Sequence, residues 1–349
     1  MAQMPTGGVR ARAPLRLGLA GGGTDLSPFC DEFGGYVMNA TVSLYAYVHL
    51  EPNPRGRLIF DAAEQGRRFE TEASPSVSID EGTLLHCGVY NRIVREFNNN
   101  EPLPLSIRTT VDVPAGSGMG GSSTLVVALV EAFRHYLRLP LGEYDVARLA
   151  FEIEREELTI AGGKQDQYAA AFGGFNFMEF YDNKRVIINP LRMRPSTIQE
   201  LEASLVLYYT GRSRSSAQVI ESQQSQLAER NQISLEAMTA LKREALEMKE
   251  ALLKGRLDLI AETMARGWKA KKQTSSSVSN AEIDRILGLA LASGGLAGKV
   301  SGAGGGGFVS IIANPSERYR VINALRNEPG QLLPVVFTNE GACSWRQIL

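Results

Sequence analysis

The sequence predicts a two-domain α+β protein. The chain has 349 residues, and at roughly 100–200 residues per domain this length corresponds to about two domains, each large enough to bury a core. Strand-like and helix-like segments alternate in the first half, whereas long, charged, helical patterns dominate the second half. We place the boundary between the two halves at residue 193, so the domains are expected at residues 1–193 and 194–349.

Short β-rich apolar stretches predict strands in the first half, and apolar residues at helical spacing predict helices. The strands are expected at residues 13–20, 35–51, 106–113, 175–180 and 185–188. The helices are expected at residues 84–97, 122–137 and 143–158. The second of these helices is apolar around most of its circumference, which is typical of a buried helix.

The second half begins with a strand pattern and continues with helices. Strands are expected at residues 201–209 and 332–337, and residues 299–312 pass through a glycine cluster into another strand. The helical patterns cover residues 215–254, 257–272, 281–291 and 318–326. This order of elements supports a second α+β domain.

Composition excludes several classes of protein. Thirty-seven Lys and Arg residues against 38 Asp and Glu residues give a net charge of -1, so a basic surface for nucleic acid or an anionic membrane is absent. The 3 cysteines and 3 histidines are widely spaced, which argues against a disulfide scaffold and a His/Cys zinc centre. We expect a soluble cytoplasmic protein without nucleic-acid or membrane partners. The oligomeric state stays open, a homodimer included.

Glycine is the unusual residue, with 35 copies in clusters. One cluster, at residues 114–123, lies between a predicted strand and the buried helix. Glycines allow positive φ and a close approach of the backbone to a ligand, and the helix adds unpaired N–H groups. The segment therefore predicts a phosphate-binding loop, in which Ser122 or Ser123 offers a hydroxyl to Mg²⁺. A tight turn with a serine cap is the alternative.

Two better-known phosphate-binding motifs do not fit the glycine clusters. Residues 116–121 and 302–307 both match G-x-G-x-x-G, but a dinucleotide-binding unit needs a second parallel strand ending in an acidic residue about 20 positions on. Another helix, at residues 143–158, follows the first cluster instead, and a strand follows the second. No Gly-Lys-Ser/Thr closes either cluster, so a Walker A loop is excluded as well.

Three segments in order, residues 13–25, 114–123 and 299–307, resemble the three motifs of the GHMP small-molecule kinases (galactokinase, homoserine, mevalonate and phosphomevalonate kinases). Residues 163–167 resemble the segment that holds the catalytic aspartate of that family. The resemblance implies an N-terminal domain like the second domain of ribosomal protein S5 and a ferredoxin-like C-terminal domain. It also implies ATP bound between the domains.

Within this family, three stretches look like those of sugar kinases that act on D-glycero-D-manno-heptose 7-phosphate: residues 20–25, 161–174 and 209–216. The resemblance implies phosphorylation of the anomeric C1 hydroxyl to the 1,7-bisphosphate, for GDP-heptose and surface polysaccharide. A fucose-type or other hexose 1-kinase is one alternative. A catalytically silent sugar sensor on the same fold is another.

The resemblance also assigns catalytic and metal-binding roles. Asp166 would accept or orient the proton of the anomeric hydroxyl, and Arg16 would stabilise the charge of the transition state. Ser122 and Glu154 would bind Mg²⁺, since their hard oxygens suit that ion. The helix that carries Glu154 contains three more glutamates as competing candidates: Glu152, Glu156 and Glu157.

The remaining expected contacts are with the nucleotide and the sugar phosphate. The nucleotide would contact Pro114, Gly116, Ser117, Gly118, Met119, Gly120, Gly121, Ser122, Ser123 and Gly304. The sugar would contact Gly22, Gly23, Thr24 and Asp25, and its phosphate Arg212, Arg214 and Ser215. A second candidate for the phosphate site is the group Lys269, Lys271 and Lys272.

Overall fold

The computed structural model describes residues 7–212 and 216–347. The elements of the first half are β1 (Val9–Ala20), α1 (Phe29–Phe33), β2 (Gly35–Pro52), β3 (Arg57–Ala62), β4 (Arg67–Glu72), α2 (Leu84–Phe97), β5 (Leu105–Val111), α3 (Gly121–Leu137), α4 (Glu143–Phe151), α5 (Gln165–Phe172), β6 (Phe175–Phe180) and β7 (Val186–Pro190). Those of the second half are α6 (Pro195–Ser204), β8 (Leu205–Tyr209), α7 (Ser216–Ala228), α8 (Gln232–Lys254), α9 (Leu257–Thr274), α10 (Ala281–Ala292), β9 (Gly295–Val300), β10 (Phe308–Ala313), α11 (Arg318–Arg326), β11 (Gln331–Leu333) and β12 (Cys343–Arg346).

The first half is built on an eight-stranded sheet whose main path is β12-β1-β2-β5-β3-β4. The 18 residues of β2 serve two neighbours: its beginning pairs with β6 and its end with β5, both antiparallel. Strand β1 pairs with β2 throughout, and its register shifts between Pro14 and Leu15. Strand β1 also contacts helices α8 and α9 of the second half.

Helix α3 is the central helix of the first domain, and its burial confirms the prediction from its apolar circumference. Twelve of its residues are buried, among them Val126 and Leu129, neither of which has any exposed surface. It packs against β1 and β2 on one side and against α2, α4 and α5 on the other. The loop before α3 lies beside β1, because the Arg16 amide donates a hydrogen bond to the Met119 carbonyl.

The second half forms a four-stranded antiparallel sheet in the order β11-β8-β10-β9. Helices α10 and α11 pack on this sheet, whereas α8 and α9 form a pair that also contacts β1 and β2. A shared core results, in which Leu17 and Met38 of the first sheet join Met248 of α8 and Met264 of α9. The two-domain α+β fold is therefore confirmed, with a continuous apolar layer joining the two sheets.

Several element boundaries differ from the sequence prediction. The strand expected at residues 201–209 is only β8, because the apolar residues before it belong to α6. The helix expected at 215–254 is divided into α7 and α8, and the side chain of Asn231 accepts a hydrogen bond from the Ser234 amide to begin α8. The strand expected at 332–337 is limited to β11.

Four strands were not predicted: β3, β4, β12 and β9, which pairs antiparallel with β10. Strands β3 and β4 extend the far edge of the first sheet. Strand β12 comes from the other end of the chain and pairs antiparallel with β1, so that Val9 faces Arg346. The end of the chain thus returns to the first sheet, and the division of the domains at residue 193 stays a prediction.

Within residues 7–212 and 216–347, no helix combines the length and the apolar character that crossing a membrane requires.

Candidate active site

A cavity lies where the end of β1, the N-terminus of α3 and the helices of the second half meet. Its wall contains most of the residues that the motifs single out, together with a group from α7 and α9. The lining residues are Arg16, Gly23, Asp25, Leu26, Gly116, Ser117, Gly118, Gly120, Gly121, Ser122, Ser123, Glu154, Arg155, Ile160, Ala161, Gly162, Gly163, Gln165, Asp166, Ala217, Ile220, Gln223, Lys271, Gly302 and Ala303.

The loop before α3 has the geometry of an anion cradle. Gly116, Gly118 and Gly120 have φ values of 73°, 82° and 77°, a region that L residues adopt at a cost of roughly 1–2 kcal/mol each. The loop ends at Gly120, which is the N-cap of α3. The first N–H groups of a helix lack partners within the helix and carry the positive end of its dipole. This end of the cavity is suited to phosphate groups.

A second glycine loop, residues 301–307 between β9 and β10, closes against the first. A Cβ atom at Gly118 would lie 2.5 Å from the Ser301 carbonyl oxygen, and one at Gly302 would lie 2.5 Å from the Gly118 oxygen. The Phe308 amide donates a hydrogen bond of 3.0 Å to the Ser117 carbonyl. The second and third motifs therefore meet through bare backbone.

Three expected nucleotide contacts do not line the cavity. Pro114 is exposed at the start of the loop, and Met119 is fully buried in the shared core. Gly304 packs against Val278, because its φ of 114° turns the loop there. In the third motif, Gly302 and Ala303 face the cavity instead.

Arg16 and Asp166 form an ion pair in the wall of the cavity. Nε and Nη2 of Arg16 both lie 2.7 Å from Oδ1 of Asp166, and Nη1 donates to the Gly118 carbonyl at 2.8 Å. Arg16 is 4% exposed. The guanidinium is thus fixed against the phosphate-binding loop, while the carboxylate keeps one oxygen, Oδ2, outside this pair.

Asp25 orients the helix that carries Asp166. Its carboxylate accepts hydrogen bonds from the Gln165 amide at 3.1 Å, from Gln165 Nε2 at 3.0 Å and from the Gly23 amide at 3.1 Å. Gly163 approaches the same carboxylate so closely that a Cβ atom would collide with it. Asp25 lines the cavity, but these hydrogen bonds also fix the first turn of α5 and so the position of Asp166.

Thr24 does not reach the cavity. It is fully buried, and its hydroxyl lies 2.8 Å from each of the carbonyl oxygens of Gly21 and Tyr36 and accepts from the Tyr36 amide. The expected contact between Thr24 and the sugar is therefore replaced by a role in shaping the loop. Gly22 lies beside the cavity and offers its carbonyl to a lysine of α9.

Glu154 and Ser122 lie side by side at the cavity wall. Ser122 Oγ donates to Glu154 Oε1 at 2.8 Å, and Gln167 Nε2 donates to Glu154 Oε2 at 2.7 Å. Arg155 Nη1 lies 3.3 Å from Oε1. Glu154 is completely buried, and it belongs to a π-helical turn, Glu152–Glu157, that ends α4.

The other glutamates of the π-helical turn point elsewhere. Glu152 and Glu157 bind the guanidinium of Arg92, and Glu156 binds Lys184 near the surface. The turn carries i→i+5 hydrogen bonds, as the bond of 3.0 Å from the Leu158 amide to the Ile153 carbonyl shows. This wider turn directs Glu154 inward and its neighbours outward.

A carboxylate oxygen and a hydroxyl oxygen 2.8 Å apart can occupy two neighbouring coordination positions of a Mg²⁺ ion. Among the described residues, no group of three or more His, Cys, Asp or Glu side chains is close enough to hold a metal alone. Mg²⁺ usually takes one or two carboxylates and completes its octahedron with water and phosphate oxygens. The residues present therefore fit a Mg²⁺ ion that arrives with a nucleotide.

Two lysines of the second half reach the end of β1 and the loop after it. Lys271 Nζ donates to the Gly22 carbonyl at 2.7 Å, and Lys299 Nζ donates to the Gly18 carbonyl at 2.8 Å. Burial lowers the pKa of Lys271 to about 8, with a smaller contribution from Arg16 that Asp25 opposes. Burial, together with Lys271 and Arg16, lowers the pKa of Lys299 to about 7.

The structure changes which cationic residue is the best candidate to bind the phosphate of the sugar. Arg212 lies outside the cavity, because its carbonyl accepts the Gly307 amide and its exposed guanidinium pairs with Glu282 at 3.3 Å. Arg214 and Ser215 lie outside the described residues. Lys269 and Lys272 are exposed, whereas the buried Lys271 lines the cavity.

Sequence reasoning missed Gln167, Arg155 and the α7 residues of the wall. Gln167 and Arg155 share Ser123 Oγ, at 3.2 Å and 2.9 Å. Gln167 is two residues from Asp166 and Arg155 follows Glu154, so proximity to the predicted residues was an available signal. Lys299 opens the third motif and could have been noticed in the same way.

Two protein-family models match the chain: "GHMP kinases N terminal domain" over residues 85–174 and "GHMP kinases C terminal" over residues 248–331. The chain is 48% identical over 338 residues to the D-glycero-alpha-D-manno-heptose 7-phosphate kinase of Campylobacter jejuni, covering 97% of this chain and 99% of that protein. A crystal structure of a D-glycero-D-manno-heptose 1-phosphate kinase from Bacteroides thetaiotaomicron superposes with a TM-score of 0.85 at 42% identity, covering 98% and 100% of the two chains.

A more distant relative is the bifunctional fucokinase/GDP-fucose pyrophosphorylase of Arabidopsis thaliana. It is 27% identical over 330 residues, which cover 88% of this chain and 30% of that protein.

Gly120→Ala tests the phosphate-binding loop. The substitution places a side chain at a φ of 77°, with its Cβ atom 3.0 Å from Asp166 Cγ. We expect the loop to relax away from this strained conformation in the free variant. The strain of roughly 1–2 kcal/mol must then be restored on binding, which weakens MgATP affinity by about five- to thirtyfold. Isothermal titration calorimetry with a non-hydrolysable ATP analogue measures this affinity.

Gly66→Ala is the matched control for Gly120→Ala. Gly66 has a φ of 62°, and a Cβ atom there would meet nothing within 4 Å. The control carries comparable backbone strain far from the cavity, so its affinity should equal that of the wild type. Unchanged affinity in a folded Gly120→Ala protein would contradict the assignment of this loop.

Proposed function

This chain belongs to the GHMP kinase family, and we propose that it transfers the γ-phosphoryl group of ATP to the anomeric C1 hydroxyl of D-glycero-D-manno-heptose 7-phosphate. The product would be the 1,7-bisphosphate, a precursor of GDP-heptose for surface polysaccharide. The substrate is supported by the 48% identity to a kinase of that name over nearly the whole chain. The proposed donor, ATP, is a cytoplasmic metabolite, and we expect the reaction to occur there.

The observation that carries the proposal is the Arg16–Asp166 pair. It lies between the phosphate-binding loop, which Arg16 contacts at the Gly118 carbonyl, and the side of the cavity formed by Gly23, Asp25 and Lys271. An acceptor hydroxyl on that side would lie between Asp166 and the γ-phosphate. A kinase needs the acceptor hydroxyl and the γ-phosphate to meet beside such a charged pair.

In the proposed transfer, the C1 oxygen forms a bond to the γ-phosphorus while the bond from that phosphorus to the β,γ-bridging oxygen breaks. Asp166 accepts the proton of the C1 hydroxyl, and ADP leaves with the bridging oxygen. Arg16 lies against the carboxylate, where its fixed positive charge can also stabilise the charge that develops on the transferred group. Since phosphoryl transfer depends mostly on positioning and electrostatics, the rigidity of this pair matters as much as proton transfer.

The glycine loop and the first turn of α3 would bind the phosphates of ATP through backbone N–H groups. Ser122 and Glu154 would hold Mg²⁺, with Gln167 orienting the carboxylate through its bond of 2.7 Å. When bound, Mg²⁺ neutralises negative charge on the phosphates. Arg155 and Gln167 keep Ser123 Oγ oriented beside this group.

On the acceptor side, we propose Lys271 as the cation that binds the 7-phosphate. It uses one N–H to hold the Gly22 carbonyl, and its ammonium has two more hydrogens to donate. Arg214 stays a second candidate, because it precedes α7 by two residues and α7 contributes Ala217 and Ile220 to the wall.

The two alternatives are less well supported. A fucose-type kinase has in its favour a relative of 27% identity that matches over 30% of its own length. A silent sensor would not need a charged pair fixed against a phosphate-binding loop. Assaying ADP release with heptose 7-phosphate, heptose 1-phosphate, fucose and mannose separates these functions and decides which phosphate the acceptor carries.

Asp166→Asn tests the proposed base. Asparagine is nearly isosteric with aspartate but cannot accept the proton, so we expect turnover of heptose 7-phosphate to fall by about two to four orders of magnitude. MgATP affinity should change little, because the phosphate-binding loop is intact. Asp182→Asn, in an exposed turn between β6 and β7, is the matched control and should be fully active. Near-normal turnover of Asp166→Asn would exclude the role.

Lys271→Gln tests the proposed phosphate contact. A charge-assisted hydrogen bond contributes about 1.5–3 kcal/mol, so the preference in kcat/KM for heptose 7-phosphate over unphosphorylated heptose should fall by about tenfold to a hundredfold. The exposed Lys272, which pairs with Asp284 at 3.4 Å, supplies the control Lys272→Gln.

The same contact predicts a pH dependence. Because the pKa of Lys271 is lowered to about 8, its positive charge is present below that pH and is lost as the pH rises through it. The preference for the phosphorylated sugar should therefore decline between about pH 7 and about pH 9 in the wild type and stay flat in Lys271→Gln. An unchanged preference in Lys271→Gln, with a loss in Arg214→Gln, would move the phosphate site to the residues before α7.

A further inference from the structure

Gln223 of α7 is a buried polar residue in the cavity wall whose two amide atoms are in different situations. Its Nε2 lies 2.7 Å from Thr274 Oγ1, and Thr274 Oγ1 donates to the Lys271 carbonyl at 2.8 Å. The Thr274 hydroxyl has a single proton and donates it in the hydrogen bond to the Lys271 carbonyl. The hydroxyl oxygen must therefore accept a hydrogen bond from Gln223. The amide orientation is thereby fixed, with Nε2 toward α9 and Oε1 away from it.

Oε1 of Gln223 has no hydrogen-bond partner among the residues that the structure describes. The residue is only 1% exposed, so bulk water does not readily satisfy this oxygen. Buried acceptors are almost always paired, and an unpaired one calls for an explanation. A ligand that brings a hydrogen-bond donor into the cavity would supply the missing partner.

Among the described α7 residues that line the cavity, Gln223 is the one that can accept a hydrogen bond with its side chain. Ala217 and Ile220 precede it at intervals of three on α7 and line the same cavity, but both side chains are apolar. Ser222 Oγ and Ser275 Oγ lie 3.0 Å apart and join α7 to the end of α9 a second time. The amide oxygen is therefore held in place before any ligand binds.

We propose that Gln223 is a specificity-determining residue whose Oε1 accepts a hydrogen bond from a hydroxyl group of the acceptor sugar. This inference rests on the proposed function, because it assumes a sugar on the side of the cavity that Lys271 and Asp25 also line. An oxygen acceptor selects for hydroxyl groups. It disfavours an analogue that lacks the hydroxyl or carries a methyl ether there, because Oε1 would then be buried and unpaired.

The test combines enzyme variants with substrate analogues. kcat/KM is measured for heptose 7-phosphate and for its monodeoxy analogues at C2, C3, C4 and C6, with the wild type, Gln223→Met, Gln223→Glu and the control Gln224→Met. Gln224 follows on the same helix and donates instead to the Ser27 carbonyl. Thermal unfolding establishes that each variant is folded.

We expect the wild type to discriminate against one deoxy analogue by about a hundredfold or more. Gln223→Met should act poorly on the parent sugar and lose this discrimination, whereas Gln223→Glu, which keeps an oxygen acceptor, should retain most of it. Gln224→Met should behave as the wild type. A merely structural role would lower all the values together and leave the ratios unchanged.

Two results would contradict these expectations, and each of them identifies a different error. If Gln223→Met keeps the wild-type ratio of parent to every deoxy analogue, the inference about Gln223 is wrong. If the wild type does not phosphorylate heptose 7-phosphate at all, the proposed function fails first. Should Gln223→Met not fold, Thr274→Val decides the question, because it releases the amide of Gln223 from α9. Unchanged ratios in Thr274→Val would overturn the inference.

Discussion

The rest of the active site depends on the contact between two glycine loops, one before α3 and one between β9 and β10. Gly118 and Gly302 approach so closely that neither position has room for a side chain. The hydrogen bond from the Phe308 amide to the Ser117 carbonyl fixes the loops in register. Because each loop belongs to a different sheet, this contact sets where the first domain's phosphate-binding loop lies relative to the second domain's helices.

Charge is arranged around that contact in a definite order. Arg16 is buried against Asp166 and the loop carbonyl of Gly118, and two lysines of the second half reach the carbonyls of Gly22 and Gly18. Burial lowers the pKa of both lysines toward neutral pH, because it removes the ammonium groups from water, and repulsion from neighbouring positive charges adds to this effect. An anionic ligand would relieve this repulsion. In the proposed function, the phosphate groups of ATP and of the sugar phosphate would supply that negative charge.

Much of this site could be predicted from sequence where its residues are contiguous. The glycine loop and its serine hydroxyls have a local signal of their own, whereas Asp166 and Glu154 are assigned by the family resemblance. The structure brings all of them to one cavity. Arg212 could not be judged in this way, because its direction depends on the hydrogen bond from Gly307, ninety-five positions later in the chain.

Thr24 was assigned to the wrong role and Gln223 was missed, because the partners of both residues lie elsewhere in the chain. Thr24 has a hydroxyl of the kind that contacts sugars, yet that hydroxyl is already hydrogen-bonded to the backbone of Tyr36. Gln223 gains its meaning only from Thr274 on another helix. The same holds for the fold: the helical pattern of α3 was evident, whereas β12 pairs with β1 from the opposite end of the chain and has little pattern of its own.

The proposed reaction is phosphoryl transfer from ATP to C1 of a heptose 7-phosphate. The direct test is to incubate the wild-type protein with MgATP and that sugar and to examine the product by ³¹P and ¹H NMR. We expect one ADP per sugar consumed and a second phosphate whose phosphorus couples to the anomeric proton. A phosphate on another carbon, or inorganic phosphate released with the sugar unchanged, would contradict the proposed reaction.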